Sequence, residues 1–152
     1  MGAKGDTNGT TKLHLDVTCA INVMMWSQDM TSRRPGAEWQ IFPADSISSL
    51  RSFLREEFSL SGDDDPIHQQ CYYISHAMLA RLRERYGVAP WTIYQYYGDV
   101  VFIPAGCPHQ VSFLLVDSDS NQIKHVYGGS KFGTLNQSGV RLRLPPALKQ
   151  NC

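Results

Sequence analysis

Lys12-Leu13-His14-Leu15-Asp16-Val17 sets a histidine and an aspartate two residues apart, and Gly98-Asp99-Val100-Val101-Phe102-Ile103-Pro104-Ala105-Gly106-Cys107-Pro108-His109 brings a second histidine in behind a strand and a turn. Successive side chains on an extended strand alternate faces, so a strand over Leu13–Val17 is expected to point His14 and Asp16 the same way, toward one ion. With His109 as a third donor, two imidazoles and a carboxylate would occupy one face of an octahedron. The open positions would take substrate and oxygen, the arrangement of non-haem Fe(II) oxygenases. The same donors also suit zinc. A lone His-x-Asp is a weak signal; the ordered block that ends at His109 gives it weight.

Around this pair the sequence reads mostly as strands. Leu13–Val17, Ala20–Trp26 and Glu38–Phe42 are short β-branched, aliphatic or alternating runs, and Ser27–Gly36 between the last two is a loop by composition, with Arg33 and Arg34 as solvated charges. Ile47, Leu50, Phe53, Leu54 and Phe58 fall at helical spacing behind a capping Asp45 or Ser46. A second helix is predicted from about Ser75 to Tyr86 over Met78, Leu79 and Leu82, stopped by Gly87, with the acidic loop Asp63-Asp64-Asp65 before it. Trp91–Tyr97, Val100–Ile103 and Val111–Val116 return to strand, and Pro104-Ala105-Gly106 must turn the chain before His109. From Asp117 onward the chain is polar and glycine-rich, a composition that fits disorder, with Val140–Leu144 as a candidate edge strand. Strands, a helical insert and more strands suit a β-sandwich or jelly roll, in which inward side chains distant in sequence converge on one pocket.

The bulk properties narrow the function classes. A chain of 152 residues holds one domain with a real core. Its 14 basic and 14 acidic residues cancel, so no global field points to nucleic acid or to an anionic membrane. The polar start has no apolar core of a signal peptide and the chain has no long apolar run, which predicts a soluble intracellular protein. Cys19, Cys71, Cys107 and Cys152 form no Cys-x-x-Cys pair and read as plain thiols, Cys107 as a small buried one. His68 and His76 read as structural or exposed, while His125 falls in the polar tail. Trp39, Trp91, Tyr94, Tyr96 and Tyr97 could form a cage for a methyl-ammonium group, but core packing is the simpler expectation.

Several blocks taken in order carry a family resemblance. Thr11-Lys12-Leu13-His14-Leu15-Asp16, Ala20-Ile21-Asn22-Val23-Met24, Pro35-Gly36-Ala37-Glu38-Trp39-Gln40-Ile41-Phe42, Asp65-Pro66-Ile67-His68, Arg85-Tyr86-Gly87-Val88 and Gly98 to Val111 resemble the JmjC (Jumonji C) domain, in wording closest to the lysine demethylase 3 and hairless subfamily. The resemblance implies a mainly β, cupin-like double-stranded β-helix (jelly roll) with a helical insertion at about 45–87. Residues 1–116 would be a partial JmjC domain, because the family's opening and closing strands have no evident counterpart, and residues 117–152 a divergent tail. It further implies Fe(II) held by His14, Asp16 and His109, and 2-oxoglutarate as cosubstrate, with Thr11 at a family contact to it and Asn22 on a pocket strand. In the family's chemistry 2-oxoglutarate is decarboxylated to succinate while an N-methyl group is hydroxylated and leaves as formaldehyde. The implied substrate is the methylated histone H3 tail (H3 lysine 9 type), with chromatin-associated proteins as partners, the nucleus as location, and no direct nucleic-acid or membrane contact.

Three positions depart from the family pattern. Thr31 stands where the family carries a lysine for the distal carboxylate of 2-oxoglutarate, with Arg33, Arg34 or Lys12 as nearby cations able to replace it. Cys19 replaces an acidic residue after the aspartate ligand, and Phe113 an asparagine after the last histidine. These departures keep two other readings beside the demethylase: a catalytically inactive JmjC-like fragment or chromatin scaffold, and another cupin-type metal-dependent hydroxylase.

Overall fold

The computed structural model describes residues 10–116, 123–126 and 141–143. Its strands are β1 (Thr10–His14), β2 (Ala20–Val23), β3 (Ala37–Ile41), β4 (Trp91–Gln95), β5 (Asp99–Ile103), β6 (His109–Val116), β7 (Ile123–Val126) and β8 (Arg141–Arg143), with helices α1 (Ile47–Glu57) and α2 (His76–Tyr86) between β3 and β4. The larger sheet runs β1-β6-β3-β4, all antiparallel, and β7 pairs with the distal half of β6. The smaller sheet runs β2-β5-β8, with β2 antiparallel and β8 parallel to β5. The fold is mainly β and cupin-like.

Alternation along the strands builds the core. Ala37, Trp39 and Ile41 of β3, Ile93 of β4 and Val111 of β6 meet Val101 and Ile103 of β5, together with Met24 and Cys107, in one buried cluster between the sheets. The turn from β4 to β5 is closed by the Asp99 N–H donating to the Tyr96 carbonyl at 2.9 Å, and Gly98 supplies its positive φ of 79°. That is the third position of a type II turn, where a side chain would be strained.

Polar Glu38 and Gln40 alternate with Trp39 and Ile41, yet all of β3 is buried. The reason is the helical insert, which covers the outer face of the larger sheet. Leu50, Phe53 and Leu54 of α1 and Leu82 of α2 pack with Leu13, Phe42, Ile67 and Ile74 in a second core, each large side chain contributing about 1.5–3 kcal/mol on burial. The polar side chains trapped beneath are paired, as burial requires. Gln110 donates to Gln40 Oε1 at 2.5 Å and to the Ile74 carbonyl at 2.7 Å, and its own oxygen accepts from the Ile74 N–H at 2.9 Å. Glu38 accepts from Gln40 at 3.0 Å and sits 2.9 Å from the His76 ring nitrogen. Burial pushes the Tyr73 phenol up, and the charge of Glu38 does the same to Tyr94 on the neighbouring strand.

α2 matches its expected span to within a residue and stops at the expected glycine: Gly87 takes the left-handed conformation at the C-terminus, and at the start the Ser75 hydroxyl accepts from the Met78 N–H as a cap. α1 differs. Ser46 stands at its N-cap position but makes no side-chain cap bond; a 3-10 turn over Ala44–Ser46 leads in, and the Ser46 hydroxyl donates back to the Pro43 carbonyl at 2.6 Å. β2 and β4 are shorter than their apolar runs, ending at Val23 and Gln95, whereas β1 is shifted toward the N-terminus of its run and ends at His14, and β6 begins earlier than its run, at His109. β7 lies in the polar stretch, which carries no periodic signal. β8 falls within the edge-strand candidate, and the rest of the tail lies outside the described residues. In the acidic loop Asp63 and Asp64 are exposed as expected, but Asp65 is gripped by Arg51 through Nε at 3.0 Å and Nη2 at 2.5 Å.

Two consequences can be measured. Leu13→Ala, which empties a fully buried position beneath the helices, is expected to cost about 2–5 kcal/mol in chemical denaturation. The Arg51 guanidinium holds the Asp65 carboxyl below the usual carboxylate range, against a smaller opposing effect of burial. Such a group stabilises the fold above its unfolded pKa of about 3.9, and the contribution is lost as pH falls through the lower folded value. The stability gap between the wild type and Asp65→Asn should therefore hold steady from about pH 7 to about pH 5 and close below about pH 4; a gap that persists in acid would contradict this assignment.

Candidate metal centre

A bulge in β1 builds the site. Thr11 pairs with Val111 and His14 with His109, so three steps on β1 oppose two on β6. The extra residue reverses the facing of the residues beyond it. In a regular strand Thr11 and His14 would lie on opposite faces; here both lie in the row of Val111 and His109, while Leu13 joins the helical core. The bulge takes Leu13 out of the ladder, and its N–H donates instead to the Tyr72 carbonyl at 2.8 Å, in the segment leading to α2.

Both imidazoles are oriented through the backbone. His14 Nδ1 lies 2.8 Å from the Lys12 carbonyl, within the bulge, and His109 Nδ1 lies 3.0 Å from the Cys107 carbonyl. A carbonyl only accepts, so each Nδ1 carries a proton and Nε2 is the nitrogen left to ligate. The two rings stand 4.1 Å apart between centroids, and the Trp39 indole lies nearly parallel to the His109 ring at 6.2 Å. Burial pushes His109 below the ordinary histidine range, which favours the neutral, ligating form.

Asp16 reaches the site by a different route from the one alternation suggests. β1 ends at His14, so Asp16 sits beyond the strand. Its backbone carbonyl accepts from the Gly106 N–H at 3.0 Å. Gly106 has φ of 75° in the turn closed by the Cys107 N–H on the Pro104 carbonyl. The turn that delivers His109 therefore also holds Asp16, whose Oδ2 lies 3.8 Å from His109 Nε2. One donor atom each from His14, Asp16 and His109 all lie within 4.8 Å of one another. Two imidazoles with Nδ1 turned to backbone carbonyls, leaving Nε2 as the ligating nitrogen, and one carboxylate fit a divalent transition metal, iron or zinc.

The other sequence candidates fall around this centre. Thr11 is exposed and in the same row as His14. Asn22 is exposed on β2, and both its backbone and side-chain oxygens accept from Gln95 Nε2. Thr31 is exposed, with its hydroxyl and N–H both on Asp29 Oδ1. Arg33 and Arg34 are exposed loop residues, and Lys12 lies in the bulge with Leu13. Cys19 is exposed and its sulfur accepts from the Ala105 N–H at 3.4 Å, while Phe113 is a 41% exposed apolar side chain on β6. Trp39 and Trp91 pack in the core between the sheets, whereas Tyr94 is half exposed beside Glu38, so strand parity separates the aromatic residues that a cage would need together. Cys107 is buried, and His68 and His76 are exposed. The holding roles of Gly106 and the Tyr72 carbonyl escaped sequence reading, because backbone hydrogen bonds leave no mark in side-chain identity.

The chain matches the family described as "JmjC domain, hydroxylase" over residues 4–115. It belongs to the JmjC family. Among curated relatives it is 39% identical over 140 aligned residues to Lysine-specific demethylase 3A of Homo sapiens, covering 70% of this chain and 11% of that protein. It is 37% identical over 142 residues to Lysine-specific demethylase 3 of Drosophila melanogaster, covering 70% of this chain and 17% of that one. With human "Probable JmjC domain-containing histone demethylation protein 2C" it shares 28% identity over 146 residues, covering 73% of this chain and 6% of the relative. The chain thus spans under a fifth of the length of these relatives.

Gly106→Ala tests the coupling between turn and ligand loop. A Cβ at positive φ costs about 1–2 kcal/mol, and relief of that strain would shift the N–H that holds Asp16. The variant is expected to lose stability by about that amount and to bind Co(II) more weakly, read by calorimetric titration.

Proposed function

We propose that this chain is an Fe(II)- and 2-oxoglutarate-dependent histone lysine demethylase domain of the H3 lysine 9 type. The observation that carries the reading is the convergence of His14, Asp16 and His109, with both Nδ1 atoms turned to backbone carbonyls, in a JmjC-family chain. His14, Asp16 and His109 would hold the iron. When bound, iron supplies the redox chemistry by which dioxygen oxidises 2-oxoglutarate and a substrate N-methyl group. Thr11, in the row of His14, would hydrogen-bond 2-oxoglutarate, and Asn22 would present its amide from the facing sheet. The buried layer of Trp39, Ile93, Val101 and Val111 excludes water behind the ligands. The names of the relatives, a lysine-specific demethylase and a histone demethylation protein, support a methylated histone lysine as substrate; the H3 tail, chromatin-associated partners and a nuclear location belong to the same proposal.

A second reading, a JmjC-like chromatin module without catalysis, draws on one observation: Thr31 is neutral and committed to Asp29, and so supplies no cation for a dicarboxylate. The two separate in one experiment. The chain is loaded anaerobically with Fe(II) and 2-oxoglutarate, exposed to oxygen with an H3 peptide methylated at lysine 9, and monitored for succinate and formaldehyde. Release of both, abolished in His14→Ala, is the expected result. Metal binding without either product favours the non-catalytic module, and succinate without formaldehyde points to a different hydroxylase substrate.

A further inference from the structure

Gln95 has no part in the ligand set, yet it is fully buried at the end of β4, and every polar atom of its side chain is committed. Its Oε1 accepts from the Trp39 indole N–H at 2.7 Å. Its Nε2 donates to the Asn22 carbonyl at 3.1 Å, to Asn22 Oδ1 at 3.2 Å and to the Asp99 carbonyl at 3.1 Å. An indole can only donate and a carbonyl can only accept, so the amide has a single workable orientation. Trp39 in turn lies against the His109 ring, the planes 25° apart. On β6 the register partner of Trp39 is Val111, which puts the indole one diagonal step from His109.

We propose that Gln95 is a positioning residue of the metal centre: it fixes the Trp39 indole as a wall for the His109 imidazole and ties Asn22 of the facing sheet to the same point. The inference rests on the metal-centre reading. The His109 ring is held at one edge by the Cys107 carbonyl, and rotation about that contact is limited by what its face meets. Without its acceptor the Trp39 N–H is a buried unsatisfied donor, and the indole gains by tilting away to find another. The wall then moves, and Nε2 of His109 loses its fixed aim. Residues one step behind the ligands commonly govern metal affinity in this way.

The test uses Co(II), whose visible absorption reports ligand geometry, titrated into the full 152-residue chain. Gln95→Met, close in shape but unable to serve the indole, is expected to weaken Co(II) binding about 10-fold or more and to change the absorption envelope. Leu82→Ala, in the helical core away from the ligands, lowers the melting temperature but should leave affinity and spectrum unchanged. Trp39→Phe, which keeps a ring but removes the N–H, should weaken binding too, and adding Gln95→Met to it should cost less than Gln95→Met costs alone, since the two share the Trp39 contact. It also serves where Gln95→Met fails to fold. Wild-type affinity and spectrum in Gln95→Met or in Trp39→Phe, with binding still lost in His14→Ala, would overturn this inference and leave the metal centre standing. If the wild type takes no Co(II), or His14→Ala takes it equally well, the metal centre falls and the inference with it.

Discussion

The hydrogen bond from the Leu13 N–H to the Tyr72 carbonyl is the constraint on which the site depends. It holds open the bulge in β1, and the bulge lets one short strand supply two layers. Leu13 goes to the helical core, while Thr11 and His14 both turn to the face that His109 occupies. The Lys12 carbonyl, displaced by the same bulge, becomes the acceptor that orients the His14 ring. An insert far from the ligands in sequence thus decides which way the first ligand points.

A second set of backbone contacts does the same for the other two donors. The type II turn at Pro104–Cys107 uses Gly106 to hold the Asp16 carbonyl, Ala105 to meet the Cys19 sulfur and the Cys107 carbonyl to orient His109. Preorganisation of this kind spares a metal the cost of ordering its own ligands, because each side chain is already restricted when the ion arrives. The site is built where two layers meet. The apolar core between the sheets walls it from behind, and the helical core beyond the larger sheet holds the strand that carries its first histidine.

Much of the fold and the donor set is legible in the sequence, and the exceptions have a common cause. The apolar spacing of α1 and α2, the Gly87 stop and the turn before His109 are local signals, and local signals survive folding. The burial of Glu38 and Gln40 is not legible, since a polar residue alternating with apolar ones reads as solvent-facing until a helical layer is laid over it. The pairing of Asp65 with Arg51, the turn of the N-cap Ser46 hydroxyl to the Pro43 carbonyl, and the short β7 each depend on a neighbour that one-dimensional pattern does not name. For the ligands, residue type and order pick out the two histidines and the aspartate that the fold brings together, but alternation supplies the wrong reason for Asp16, which lies outside the strand.

The sequence by itself determined the donor chemistry, the family and the mainly β architecture with its helical pair, because residue type, order and periodicity are properties of the chain. Only the tertiary structure decided that His14 and Thr11 share a face, that Asp16 is held by a glycine N–H from the turn before His109, and that Trp39 lies against His109 with Gln95 behind it. The physical reason is that bulges, backbone hydrogen bonds and ring contacts belong to pairs of segments. Which segments meet is settled by burying two apolar faces at once.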